Sequence, residues 1–195
     1  MQRWLIFLLL VNAGPVAADE TVLVCYGYGC LVQENIHYSE SRLQEIGRRM
    51  NAAAIETTAG PRVDAENERK TLSAVIGQLY AWAGEQSDVK NDRGGNYADG
   101  SMPGKMDCID HSTSTTRLLK LLEGRGDLRW HRVVEPEVRH WAYVFPAHYS
   151  AVIEEKLDGA GEPARFAVDS WFVDNGEPAV ILPLDDWKKG AGPDV

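Results

Sequence analysis

The segment PGKMDCIDHSTSTTRLLKLLEG, Pro103 to Gly124, decides the fold. Pro103-Gly104 reads as a turn. Asp107 is an N-cap candidate with Asp110 three residues on, so two acids stand where the first backbone N–H groups of a helix point. Cys108 is then the first helical residue. The helix continues through Leu118, Leu119 and Leu122 and stops at Gly124, a usual terminator. Its first half, Ser112 to Thr116, is built of small hydroxyl residues, indifferent helix formers that allow close packing under a sheet. A thiol at a helix N-terminus meets partial positive charge and free N–H groups, which favour the nucleophilic thiolate. Left unpaired, the two aspartates would act in the opposite sense.

Downstream of this helix the chain reads as strands. Val138 to Phe145, His148 to Glu155 and Arg165 to Phe172 are separated by Pro146 and by the turn-rich Asp158 to Pro163. An antiparallel meander is the economical arrangement, and a hairpin axis near residue 159 sets His148 opposite the neighbourhood of Asp169. Asn175-Gly176 gives a further turn, Val180 to Leu182 a last short strand, and Asp185 to Lys189 one helical turn. Upstream, Gln86 to Lys105 is rich in Gly, Asn, Asp and Ser and reads as a long surface loop, of a length that is often functional. After Pro61, a polar first turn (Asp64, Glu66, Glu68) leads into Leu72, Val75, Ile76, Leu79 and Ala83, the spacing of one buried stripe. Ser39 or Ser41 can cap an earlier helix bearing Leu43, Ile46 and Met50. Thr21 to Tyr26 and Cys30 to His37 read as short strands. The fold class expected is α+β.

The whole chain has 195 residues, 44% of them hydrophobic and 25% charged, enough apolar material for one globular core. Its formal charge of −9 argues against a nucleic-acid partner. Arg3, the apolar run Trp4 to Val11 and the small residues Val16-Ala17-Ala18 form the three-part pattern of a secretory signal. Asn12, Gly14 and Pro15 interrupt the run too early for a spanning helix. The expectation is a signal peptide over 1–18 and one domain over 19–195, periplasmic or secreted, with no membrane attachment after cleavage. Without residues 1–18, which hold one Arg and no acid, the charge is −10.

Export gives the three cysteines a meaning. Cys25 and Cys30 enclose Tyr-Gly-Tyr-Gly, a flexible loop that lets them pair in an oxidising compartment. Cys108 is left over, and an odd thiol in an exported protein is either a reactive group or a small buried hydrophobe. A neighbouring His can complete an ion pair with a thiolate, and a carboxylate can orient that His; His148 and Asp169 on adjacent strands suit both roles.

Met-Asp-Cys108-Ile-Asp at a helix start, Ala-His148-Tyr-Ser-Ala-Val at a strand start and Phe-Ala-Val-Asp169-Ser-Trp on the next strand resemble the Cys-His-Asp order of the transglutaminase-like branch of papain-fold proteins, including bacterial transglutaminase-like cysteine proteinases. The resemblance covers about residues 100–187. Asp92-Arg-Gly-Gly-Asn-Tyr and Trp171-Phe-Val-Asp-Asn-Gly resemble a narrower group of exported bacterial proteins. The resemblance implies a papain-like core with the catalytic helix packed on an antiparallel sheet. It implies Cys108 as nucleophile, His148 as general base and Asp169 as orienter, with no cofactor. The activity expected is thiol-dependent amide chemistry through an acyl-thioester, as a cysteine peptidase, amidase or transglutaminase-type acyltransferase, on a peptide, protein or cell-wall amide.

Competing readings are a non-catalytic binding module that keeps the fold and a zinc site of Cys108, His111, His148 and Asp169, a set without the close paired spacing of zinc motifs. The alternative for His111 is a capping or hydrogen-bonded residue. Asp92, Asn96 and Asp99 do not match the alternate-residue spacing of a calcium loop. His131 and His140 read as strand-surface residues. Trp82, Trp130, Trp141, Trp171 and Trp187 read as core or groove walls, with Trp171 placed to shield the triad. The Cys108 N–H, Asn96 and Tyr97 are candidates for oxyanion or substrate contacts.

Overall fold

Strands Glu20–Tyr26 (β1) and Val32–Tyr38 (β2) pair antiparallel as the first of two sheets in an α+β computed structural model that describes residues 18–55, 57–95, 102–140, 147–156 and 162–193. Helices Glu40–Ala53 (α1) and Pro61–Gly84 (α2) follow, then a 3-10 turn at Asp88–Asn91 and the helix Cys108–Gly124 (α3). The second sheet is an antiparallel meander of His131–Arg139 (β3), His148–Glu155 (β4), Arg165–Asp169 (β5) and Val180–Pro183 (β6). A short helix, Leu184–Lys188 (α4), ends it. All but Ala18 of the expected signal segment lies outside the described residues. Among those described, no helix is long and apolar enough to cross a membrane.

The two faces of the second sheet explain why β4 is buried at nearly every position. Ala151 and Ile153 of β4 and Val168 of β5 enter the main core with Leu118, Leu119 and Leu122 of α3, while Val152 and Ala167 pack on Leu184 and Trp187 on the other side. A strand covered on both faces loses the polar alternation of a half-exposed one. The small residues of α3 do allow close approach: Ser114 and Thr115 are fully buried, and the Ser114 hydroxyl accepts the Cys25 N–H at 2.8 Å. Ser39 caps α1, whose Leu43, Ile46 and Met50 are buried, as are Leu72, Val75, Ile76, Leu79 and Ala83 of α2.

Five expectations are corrected. The strand placed at Val138–Phe145 is β3, His131–Arg139; residues 141–146, with Trp141, lie outside the described residues. Pro136 sits within β3 and lacks an N–H, but β3 is an edge strand and its register shifts between Val134 and Glu137, so the missing donor is tolerated. The segment Gln86–Lys105 is not simply a surface loop, because its described part holds the 3-10 turn and buries Val89, Asp92 and Lys105. β2 begins at Val32 rather than Cys30, and β5 ends at Asp169 rather than Phe172.

The fifth correction is His131, which is fully buried rather than on a strand surface. Its Nδ1 donates to Glu68 Oε1 at 2.8 Å, and its Nε2 accepts from Arg69 Nη1 at 3.1 Å. Glu68, fully buried in what reads as a polar turn of α2, also accepts the Arg129 and Trp130 N–H groups. Arg69 continues to Glu155. Each buried charge thus finds a partner, as burial requires.

Candidate active site

Three element ends meet at one place. α3 begins with Cys108, β4 begins with His148, and β5 ends with Asp169. The β4–β5 register, Ala151 opposite Val168, sets His148 diagonally across from Asp169. The His148 Nε2–H donates to Asp169 Oδ2 at 2.7 Å. Cys108 is half-buried and unpaired to another sulfur, with its Sγ 3.6 Å from the Ala147 carbonyl oxygen.

Asp169 is nearly enclosed, and three donors hold its carboxylate: His148 Nε2, the Trp187 indole N–H at 2.8 Å on the same oxygen, and the Trp171 backbone N–H at 3.2 Å on Oδ1. The ring centres of Trp171, Phe172 and Trp187 lie 4.9, 5.6 and 5.7 Å from that of His148. These rings shut water away from the imidazole. Burial lowers the His148 pKa, but it is outweighed by the hydrogen bond to Asp169, the hydrogen bond to Cys108 and the negative charge of both, which together raise it from 6.5 to about 9. With Nε2 occupied by Asp169, Nδ1 is the nitrogen left to face the sulfur.

Behind Cys108, Asp107 caps α3 by accepting the Ile109 and Asp110 N–H groups at 3.0 and 2.9 Å, and Asp110 returns the bond from the Asp107 N–H at 3.1 Å. The loop closed by the Cys25–Cys30 disulfide supplies the rest. Tyr28 N–H and Cys30 N–H donate to the two oxygens of Asp110 at 2.8 and 2.5 Å, and Gly29 N–H donates to Asp107 at 3.0 Å. The aspartates beside Cys108 are therefore not unpaired. Burial raises the Asp110 pKa; bonds from Cys30 and Asp107 lower it, the Asp107 charge raises it, and a bond from Tyr28 lowers it.

His111, one turn along α3, is buried and doubly bonded: Nε2 donates to Asp92 Oδ2 at 3.0 Å, and Nδ1 accepts from the Ser170 hydroxyl at 2.9 Å. Asp92 also accepts the Met106 N–H at 2.9 Å. This buried cluster ties the segment before α3 to the residue that follows Asp169. Among the described residues no group of His, Cys, Asp and Glu is arranged to hold a metal.

Of the residues singled out from sequence, Cys108, His148, Asp169 and Trp171 converge here, and Cys25 and Cys30 pair behind the helix start. Asn96 and Tyr97 lie outside the described residues. Sequence reasoning missed Trp187 as a partner of Asp169, because that contact depends on the turn from β6 into α4. It also missed the loop N–H groups, which carry no side-chain signature; the adjacent glycines 27 and 29 were the available signal. No protein-family model, curated protein or solved structure matches the chain.

Proposed function

We propose that this protein is an exported thiol-dependent enzyme of amide chemistry, a peptidase, amidase or transglutaminase-type acyltransferase on a papain-like core. One observation carries the reading: a half-buried, unpaired Cys at the first position of α3 faces a His whose other nitrogen is held by a buried Asp. Cys108 thiolate attacks the amide carbonyl carbon and forms the C–S bond. The His148 imidazolium gives its proton to the departing nitrogen as the C–N bond breaks, leaving an acyl-thioester and a neutral imidazole. Neutral His148 then takes a proton from water or from an amine as either attacks the thioester, and the thiolate leaves. Asp169 keeps the ring oriented and stabilises the imidazolium. The signal-like N-terminus supports a periplasmic or secreted setting, where peptide, protein or cell-wall amides are the substrates to try.

The test is alkylation of Cys108 by chloroacetamide across pH, in the wild type and in His148→Ala with the Cys25–Cys30 disulfide kept intact. An ordinary thiol titrates near ~8.5. The proposal expects reaction to persist well below that in the wild type and to be lost in the variant. An ordinary profile indifferent to His148 would overturn it and leave a groove-bearing binding module as the reading.

A further inference from the structure

Gly27, Tyr28, Gly29 and Cys30 have φ of 85°, 69°, 67° and 58°, four consecutive residues in the left-handed region. Glycine enters that region freely; Tyr and Cys do so only under constraint. Two constraints are visible. The Cys25–Cys30 disulfide closes the loop, and successive N–H groups converge on the carboxylates of Asp107 and Asp110. Such a run of left-handed backbone makes a concave cluster of donors that binds anions. Here the anions are the two carboxylates that flank Cys108. Gly27 N–H also bonds the Lys105 carbonyl at 2.8 Å, which fixes the loop to the chain entering α3.

We propose that the Cys25–Cys30 loop is a positioning element for Cys108, and that its disulfide sets the reactivity of that thiol. It rests on the reading of Cys108 as nucleophile. With the disulfide closed, three N–H groups offset the charge of Asp107 and Asp110, and the positive end of α3 acts on the sulfur. Reduction by a dithiol breaks the Sγ–Sγ bond, yields two thiols that take up two protons, and leaves the reductant as its own disulfide. Tyr28 and Cys30 are then free to leave the left-handed region, and their N–H groups turn away. The aspartates face the sulfur with less compensation, so the thiolate is disfavoured. Among the described residues, the charged and titratable groups beside Cys108 are Asp107 and Asp110 at its own helix start and His148 on β4 with Asp169 behind it. Only the loop changes in this step.

The experiment measures the rate of Cys108 alkylation by chloroacetamide against pH, read at the Cys108 peptide by mass spectrometry. It compares the full chain with the disulfide intact, the chain reduced by dithiothreitol, and Cys25→Ala/Cys30→Ala, with near-ultraviolet circular dichroism reporting the fold. The expected result is a rate profile whose midpoint rises by about one pH unit in both open-loop forms, with about a tenfold fall in rate at pH 7 and the native spectrum retained. Adding Asp110→Asn to the Ala pair recovers most of the loss, which a purely structural role of the loop would not predict. Identical profiles in closed and open forms overturn the proposal. So does loss of the native spectrum in both open forms, which would make the disulfide a staple of the whole fold. A closed-form profile indifferent to His148→Ala would instead strike at the catalytic reading, while the closed-to-open comparison still decides the role of the loop.

Discussion

Replacing Asp169 by Asn keeps the shape of the side chain and removes the charge that holds the His148 proton. The rise of the His148 pKa from 6.5 to about 9 corresponds to stabilisation on the order of 3 kcal/mol. Because the folded pKa lies above the unfolded one, this stabilisation is fully present below pH 6.5 and is lost as pH rises through 9. In Asp169→Asn the strongest influence raising the pKa is gone, and Cys108 alone opposes the burial of the imidazole. Urea unfolding at intervals from pH 6 to pH 10 reads the consequence. Wild type should lose on the order of 3 kcal/mol between 6.5 and 9, and the variant, which lacks this contribution at the low-pH end, should show a flat profile over that window. His148 followed by NMR should titrate near or below its ordinary value in the variant. A variant whose stability still falls over the same window, or whose His148 still titrates near 9, would refute the assignment of Asp169 as the group that sets the imidazole.

The same histidine predicts a divergence between two reactions. Above about pH 9 His148 is neutral, and alkylation by chloroacetamide, which draws no proton from it, should not fall. Release of amine from a peptide p-nitroanilide, which needs the imidazolium proton, should decline there; parallel profiles would mean that His148 is not the acid. Gly94→Ala should cost about 2 kcal/mol in urea unfolding, since its Cβ would sit 2.5 Å from the Phe172 carbonyl oxygen. Gly124→Ala, with nothing within 4 Å at the end of α3, should be neutral or stabilising by up to about 1 kcal/mol. Equal effects at the two glycines would refute the close packing of Gly94 on the segment after Trp171.

What could be read from the sequence was whatever local chemistry decides. The cap at Asp107, the stop at Gly124 and the apolar spacing of α1 and α2 depend on residues within a turn or two of one another. The pairing of β4 with β5 was legible for a similar reason, because the turn-rich sequence Asp158 to Pro163 stands about midway between His148 and Asp169. Long-range polar contacts were not legible. Glu68 looked like a helix-start acid until Arg129, Trp130 and His131, some sixty residues on, enclosed it. Asp92 read as part of a polar loop and is instead the buried partner of His111. The β3 boundary was missed because Pro136 argues against a strand interior, and only its place at an edge with a register shift removes the objection.

The three buried histidines show why His148, rather than its neighbours, is the one suited to chemistry. Each ring has two nitrogens. His131 spends both, on Glu68 and Arg69, and His111 spends both, on Asp92 and Ser170. A ring so committed is a brace: moving a proton through it would leave a buried partner unsatisfied, at a cost of about 1–3 kcal/mol or more. His148 gives Nε2 to Asp169, and among the described residues its other nitrogen meets no structural partner but the half-exposed thiol of Cys108. Proton transfer between Nδ1 and that sulfur, or a substrate bound to it, breaks no structural bond. His111 anchors the turn of α3 that carries Cys108, whereas His131, at the opposite end of the β3–β4 pair from His148, locks α2 to the sheet. On the proposed reading, a histidine with one nitrogen turned to the reactive group, next to a second one fully held by its partners, is what a site needs when one proton must move and its surroundings must not.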